Sequence, residues 1–333
     1  MKRPDGQTVF LGTVLVAGVV TIAYLALFHG NGHAGNQSGR TKLRGSPVDA
    51  RRSFRYLEAV CAIGPRPSGS QGMRAQQKLL VDHFERLGGQ THLQAFQTRH
   101  PQDGSAVEMA NLVVAFHPER NSRILLCAHY DTRPFPDRDP RRPRGRFLGA
   151  NDGGSGVAVL MELAHHVAEL EAPFGIDFVL FDGEEFVFEE RQGTYFLGSE
   201  YFARQYVAAP PTHRYRSAVL LDMVGDAQLQ LFQERNSVSW PDSRPLVDEI
   251  WGTAKKMGVT EFIARPKHEI RDDHLALHDI ARIPACDIID FDYPRSSSAS
   301  FWHTEADTPD KCSGESLAKV GAVLLEWLRT TGR

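Results

Sequence analysis

Apolar residues recur at helical spacing over residues 48–63, at Phe54, Leu57, Val60 and Ile63, until GPRPSGSQG breaks the pattern with glycine and proline. Residues 73–87 repeat it with Leu79, Leu80, Phe84 and Leu87 on one face, closed by Gly88-Gly89. Strand-like runs follow at 91–98, 110–116 and 123–128, then a helix at 156–170. Residues 176–181 (IDFVLF) and 218–221 (AVLL) are short and continuously apolar, the pattern of strands covered on both faces. Helical patterns return at 246–257 and 315–330, and no internal repeat is present. Alternating strands and helices predict an α/β chain: a three-layer α/β/α sandwich around a mixed, mostly parallel central sheet.

Before this pattern starts, residues 9–28 (VFLGTVLVAGVVTIAYLALF) carry no charge. Twenty residues at about 1.5 Å each span the hydrocarbon core of a bilayer. The run is longer than a signal-peptide core, and HGNGHAG after it is a poor cleavage site, so an uncleaved transmembrane anchor is expected at 9–28. Lys2 and Arg3 favour a cytoplasmic N-terminus over residues 1–8, against Arg40, Lys42 and Arg44 on the far side. The catalytic bulk is then expected outside the cytoplasm, periplasmic, extracellular or lumenal. Residues 29–46, rich in Gly, Asn and Ser, form a flexible linker, and the folded domain spans 47–333.

Composition adds exclusions. Lys plus Arg total 38 and Asp plus Glu 41, a net charge of −3, so no global basic field supports nucleic-acid binding. The basic stretch 138–146 (RDPRRPRGR) is expected to be a solvated loop. Cys61, Cys127, Cys286 and Cys312 are too far apart for a cysteine zinc site. Cys127 and Cys286 suit buried apolar positions, while Cys61–Cys312 or Cys286–Cys312 pairing is left open. His165-His166 is expected at the surface, and Asp307 either buttresses the loop around His303 or caps it.

Residues capable of chemistry follow the buried runs directly, where open α/β sheets form ligand sites. His129 and Asp131 in AHYDTR lie about 7 Å apart on one face of an extended chain. Both could approach one metal, or Asp131 could orient the imidazole. A hydrogen-bonded core histidine explains the pair as well. Asp152 sits in a glycine-rich turn opening a helix, where a simple cap is the plainer explanation. Glu184 and Glu185 follow IDFVLF and cannot both point one way, so one could hold a metal while the other serves as general base. Asp222 ends a buried strand and calls for a cation. His303 beside Trp302 could equally be a surface imidazole. As a set, imidazoles and carboxylates without cysteine suit catalytic zinc with open positions.

The order AHYDTR, GANDGGSG, FDGEE, LLDMVGD and FWHTEADT resembles the M28 family of zinc peptidases over residues 48–328. That resemblance implies His129 and Asp222 on one zinc, Glu185 and His303 on another, Asp152 bridging, and Glu184 as base. The chain is also similar to the glutaminyl-peptide cyclotransferases within that family. Twelve residues separate Glu185 from GSEYFA, Asp272-Asp273-His274 precedes LALHDIARIPACDIID, and WHT surrounds His303. This branch implies a single zinc at Asp152, Glu185 and His303, Asp272 sharing a hydrogen bond with Glu184, and Trp302 enclosing the substrate pocket. The implied reaction converts N-terminal glutamine of peptides or proteins to pyroglutamate and ammonia, by a monomer. The alternative is an aminopeptidase using a second zinc at His129 and Asp222. A binding ectodomain that lost activity is disfavoured, because every ligand type is retained. The sequence departs from the cyclases at Glu189-Glu190, where they usually carry a pocket tryptophan, and in the Ser-rich RSSSASF before Trp302.

Overall fold

A computed structural model describes residues 46–188, 194–295 and 300–332. The chain divides into two units, Met1–Arg44 and Gly45–Arg333, and the first lies outside the described residues, as do the expected anchor and nearly all of its linker. Among the described residues no helix is long and apolar enough to cross a membrane.

In chain order the domain begins with helices α1 (Ala50–Ile63) and α2 (Gln71–Arg86). Asp49 caps α1, accepting from Arg51 N and Arg52 N at 2.8 and 2.9 Å. Strands β1 (Gln90–Arg99), β2 (Ala106–Phe116) and β3 (Ser122–His129) precede α3 (Ser155–Val167), β4 (Gly175–Phe181), α4 (Leu197–Ala208) and β5 (Arg214–Asp222). Next come β6 (Leu231–Gln233), α5 (Arg235–Ser239), α6 (Arg244–Met257), β7 (Phe262–Pro266), α7 (Asp273–Asp279), β8 (Ala285–Ile289) and α8 (Gly314–Thr330).

The main sheet runs β1-β2-β4-β3-β5-β8, with β4, β3, β5 and β8 parallel and β2 and β1 antiparallel at one edge. The mixed, mostly parallel sheet expected from the alternation is therefore present. Alternate residues of its strands face two layers. On one side Leu125, Cys127, Val179, Phe181 and Leu220 pack against Phe202 and Ala203 of α4 and Ala276 and Leu277 of α7. On the other side α1, α3 and α8 pack together, and Phe84 of α2 meets Phe178 edge-on, ring centres 5.9 Å apart.

Gly156 lets α3 approach the sheet: a Cβ there would lie 2.3 Å from Leu221 O and 2.8 Å from the Ala128 Cβ. The β3–β5 ladder has a bulge, with Arg123 opposite Tyr215 and Ile124 opposite Ser217, so Arg216 is an extra residue. Tyr215, Ala218 and Leu220 consequently share one core face.

The pattern did not reveal β6, β7, β8, α4, α5 or α7. Several are shorter than the windows over which periodicity declares itself. All four cysteines are buried free thiols, so neither disulfide left open by the sequence forms. His165 and His166 are half-buried rather than at the surface; His165 Nε2 lies 2.6 Å from Tyr56 Oη and His166 Nε2 3.4 Å from Glu162 Oε1.

Candidate metal centre and substrate cleft

Parallel strands deliver their last residues to one rim of the sheet. His129 ends β3, Asp222 ends β5, and β4 runs into Asp182-Gly183-Glu184-Glu185. Register pairs Cys127 with Leu220 and so sets His129 beside Asp222, Nε2 to Oδ1 3.2 Å. Gly183 has φ +79, a left-handed turn that glycine adopts without strain, and it swings the two glutamates over the strand ends. Asp152 comes from the turn before α3. There Gly153 has φ +77 and its Cβ position lies 2.6 Å from Asp131 O, so no larger residue fits. The N-cap of α3 is Gly154, so Asp152 is not the cap. His303 arrives from the loop before α8 with φ +57, a strained backbone for a non-glycine residue.

Two groups of three result, sharing Asp152: Asp152, Glu185 and His303, and His129, Asp152 and Asp222. Within each, one ligand atom per residue lies within 4.8 Å of the others. His303 Nε2 is 3.1 Å from Glu185 Oε1 and 3.5 Å from Asp152 Oδ2, while His129 Nε2 is 3.2 Å from Asp152 Oδ1. All five side chains are buried. His303 Nε2, Asp152 Oδ2 and Glu185 Oε2 have no hydrogen-bond partner among the described residues. Orphaned buried polar atoms are costly, and a divalent cation would satisfy them. A donor set of imidazole nitrogen and carboxylate oxygen fits zinc with room for a further ligand.

A layer behind these residues holds them. Asp131 accepts from the backbone N–H groups of Glu184 and Glu185 at 3.2 and 3.0 Å. It lies 3.7 Å from His129 Nδ1, so its main task is to fix the glutamate turn. Asp307 accepts from Asn151 N and Asp152 N at 2.8 and 3.1 Å and from Tyr293 Oη at 2.8 Å. It therefore fastens the Asp152 turn rather than the His303 loop. Arg133, which no motif had singled out, donates to Glu185 Oε1 at 3.0 Å and pairs with Asp137 at 2.9 Å. Its place four residues after His129, just past a strand end, was the available signal.

The electrostatics separate the adjacent glutamates. Burial, reinforced by the charge of Glu185, raises the Glu184 carboxyl well above its ordinary range. Burial also works against the charge on Glu185, but His303 and Arg133 outweigh it and hold that group low. Asp272 is raised by burial and then by Asp222 and Asp273.

Glu184, Asp272 and Trp302 line a cleft of about 380 Å³ over the Asp152–Glu185–His303 group, with apolar walls from Ile270, Ile289 and Phe291. A more open cleft of about 530 Å³ around His165 and His166 lacks such a gathering of ligands. Glu189-Glu190 and most of the Ser-rich stretch before Trp302 lie outside the described residues.

Comparison with solved structures gives a glutaminyl cyclase of Fimbriiglobus ruber at TM-score 0.80 and 38% identity, covering 90% of this chain and 99% of that one. A leucine aminopeptidase precursor of Bacteroides thetaiotaomicron matches at TM-score 0.77 and 31% identity, covering 85% and 97%. The chain spans about half the length of some curated relatives, such as the Bos taurus glutaminyl-peptide cyclotransferase, 24% identical over 181 residues that make up 48% of each protein. The model of Peptidase family M28 matches residues 111–328, well over half of the chain. On that match, and on a likeness at 38% identity over 90% of this chain, the chain belongs to peptidase family M28.

Proposed function

We propose that this protein is a zinc-dependent glutaminyl-peptide cyclotransferase acting on the N-termini of peptides or proteins. The observation that supports it best is the presence, in one apolar-walled cleft, of two buried carboxyls raised toward their protonated forms, Glu184 and Asp272, beside the Asp152–Glu185–His303 group. Cyclisation needs one proton carried from an amine to a leaving ammonia, and no water. The glutaminyl cyclase of F. ruber, similar over almost its full length, supports the same reading.

Asp152, Glu185 and His303 would hold zinc, which would supply Lewis acidity toward the γ-carbonyl oxygen of the substrate glutamine. The substrate's α-amine attacks the γ-carbon, forming the ring C–N bond. Glu184 takes the proton that the amine loses and returns it to the departing amide nitrogen as the C–N bond to ammonia breaks. Its raised pKa suits both halves of that transfer. Asp272 lines the same cleft and is the group proposed to steady the Glu184 carboxyl. Trp302, Ile289 and Phe291 exclude water that would otherwise hydrolyse the amide.

A second reading, an aminopeptidase, is favoured by the intact His129–Asp152–Asp222 group. Purified protein incubated with Gln-led and Leu-led peptides and read by mass distinguishes the two. Loss of ammonia from the Gln peptide is expected, and release of free leucine without it overturns the proposal.

We also propose that residues 9–28 anchor the chain in a membrane with the catalytic domain outside the cytoplasm, on the strength of their uncharged length. Full protection from protease added to intact cells would overturn that placement.

A further inference from the structure

We infer that the arginine-rich loop 138–146 selects peptides with acidic residues shortly after the N-terminal one, an inference that rests on the peptide-N-terminus reading above. The loop holds five arginines, Arg138, Arg141, Arg142, Arg144 and Arg146, against one aspartate, in a chain whose net charge is −3. All five arginines are exposed.

The loop is fastened to the edge of the cleft. Arg138 N donates to His303 O at 3.1 Å, and its guanidinium lies 4.1 Å from the Trp302 ring centre. Asp139 Oδ2 accepts from Glu305 N at 3.0 Å, and Glu305 Oε1 accepts from Arg146 N at 2.9 Å. The His303 loop and the arginine loop are thus laced together, and Arg138 itself lines the cleft, which sets the loop at the cleft's edge.

Among the described residues the acids within this loop and its anchor are mostly taken up by backbone groups. Asp139 Oδ1 takes the backbone N–H groups of Arg141 and Arg142, at 2.9 and 2.8 Å. The second oxygen of Glu305, Oε2, lies 3.5 Å from the Arg142 guanidinium. Among the described residues Arg141, Arg144 and Arg146 have no side-chain ion pair. Across the cleft, Arg271 is exposed over the Phe196 ring at 6.0 Å, and Glu269 is the exposed acid of the described lining.

An extended peptide advances about 3.3–3.6 Å per residue. With its first residue in the cleft, the second to fourth therefore pass the loop, within one Debye length of about 8–10 Å from several guanidinium groups. Carboxylates at those positions gain attraction that a neutral tail does not. A lipid surface would be attracted by charge too, but these charges border a concave cleft rather than a flat face.

The test uses the full-length protein in detergent and three Gln-led peptides, labelled at the C-terminus, with acidic, neutral or basic residues at positions two to four. Affinity is read by fluorescence anisotropy at 25 and 300 mM salt. The acidic tail should bind about tenfold tighter than the neutral one at low salt, the difference shrinking at high salt and vanishing in Arg141→Ser/Arg144→Ser. Equal affinities in the parent protein overturn the inference, as does an acidic preference that survives in the double variant and in Arg144→Glu. Capture by phosphatidylserine vesicles that is lost in the variants, with all tails binding alike, also overturns it in favour of a membrane role. Ammonia release from the same peptides keeps the two proposals apart. If no peptide is cyclised, the cyclase reading fails while anisotropy still decides the loop.

Discussion

Arg133 donates from Nη1 to Oε1 of Glu185 at 3.0 Å, and both side chains are buried. The pair keeps one of two adjacent glutamates ionised beside His303 while burial drives its neighbour Glu184 the other way. On the proposed reading one dipeptide supplies both a ligand and a base. Replacing Arg133 with methionine removes the charge and keeps most of the volume. Zinc affinity should fall about 10–100-fold, the usual cost of losing a residue that orients a ligand. Competition with a chromophoric chelator measures it, and an unchanged affinity would cut Arg133 out of the metal site.

Glu184→Gln should lower ammonia release by about 10²–10⁴-fold while bound zinc, read by atomic emission, stays at the parent level. A variant that turns over near the parent rate would mean another group carries the proton.

Metal stoichiometry separates the two candidate groups. After chelation and dialysis, cyclase activity should return fully with one equivalent of zinc and persist in Asp222→Asn. If recovery requires a second equivalent, or Asp222→Asn abolishes turnover with the first ion retained, the His129–Asp152–Asp222 group takes part in the chemistry.

Stability should depend on pH through His83, which is not part of the Glu184 cleft lining, lies between Tyr56 and Phe84, and donates from Nε2 to Met161 O, 2.9 Å away. Burial depresses its pKa to about 4 from 6.5. The folded state therefore binds the proton less readily than the unfolded one. Stability from this group is intact above pH 6.5 and is lost as pH falls toward 4, by about 3 kcal/mol at most. Urea midpoints between pH 4 and 7 should slope less steeply in His83→Gln than in the parent. Parallel curves would assign the slope elsewhere.

The layered fold was legible because IDFVLF and AVLL could only be strands buried on both faces, and because acids placed straight after them have few innocent explanations. Asp152, Glu184, Glu185, Asp222 and His303 were visible for that reason. Asp131, Arg133 and Asp307 were not assignable in the same way. Their partners are backbone amides or side chains brought close only by the finished fold, and a sequence does not say which N–H groups an aspartate will face. The helix Asp273–Asp279 was hidden because DHLALHD carries charge inside a short element. Of its two acids Asp279 is exposed, and Asp273 is buried next to Asp272 of the cleft.

The bulge at Arg216 gives β5 slack at one point along its length. Deleting Arg216 would restore plain alternation and leave both Tyr215 and Asp222 on their present faces. Deleting Val219, three residues further on, would turn either Asp222 or the preceding half of the strand inside out. Length changes are therefore forgiven at the entrance of this strand and punished near its exit, so the spacing between bulge and ligand, more than the identity of the residues between them, is what descent with modification must leave alone.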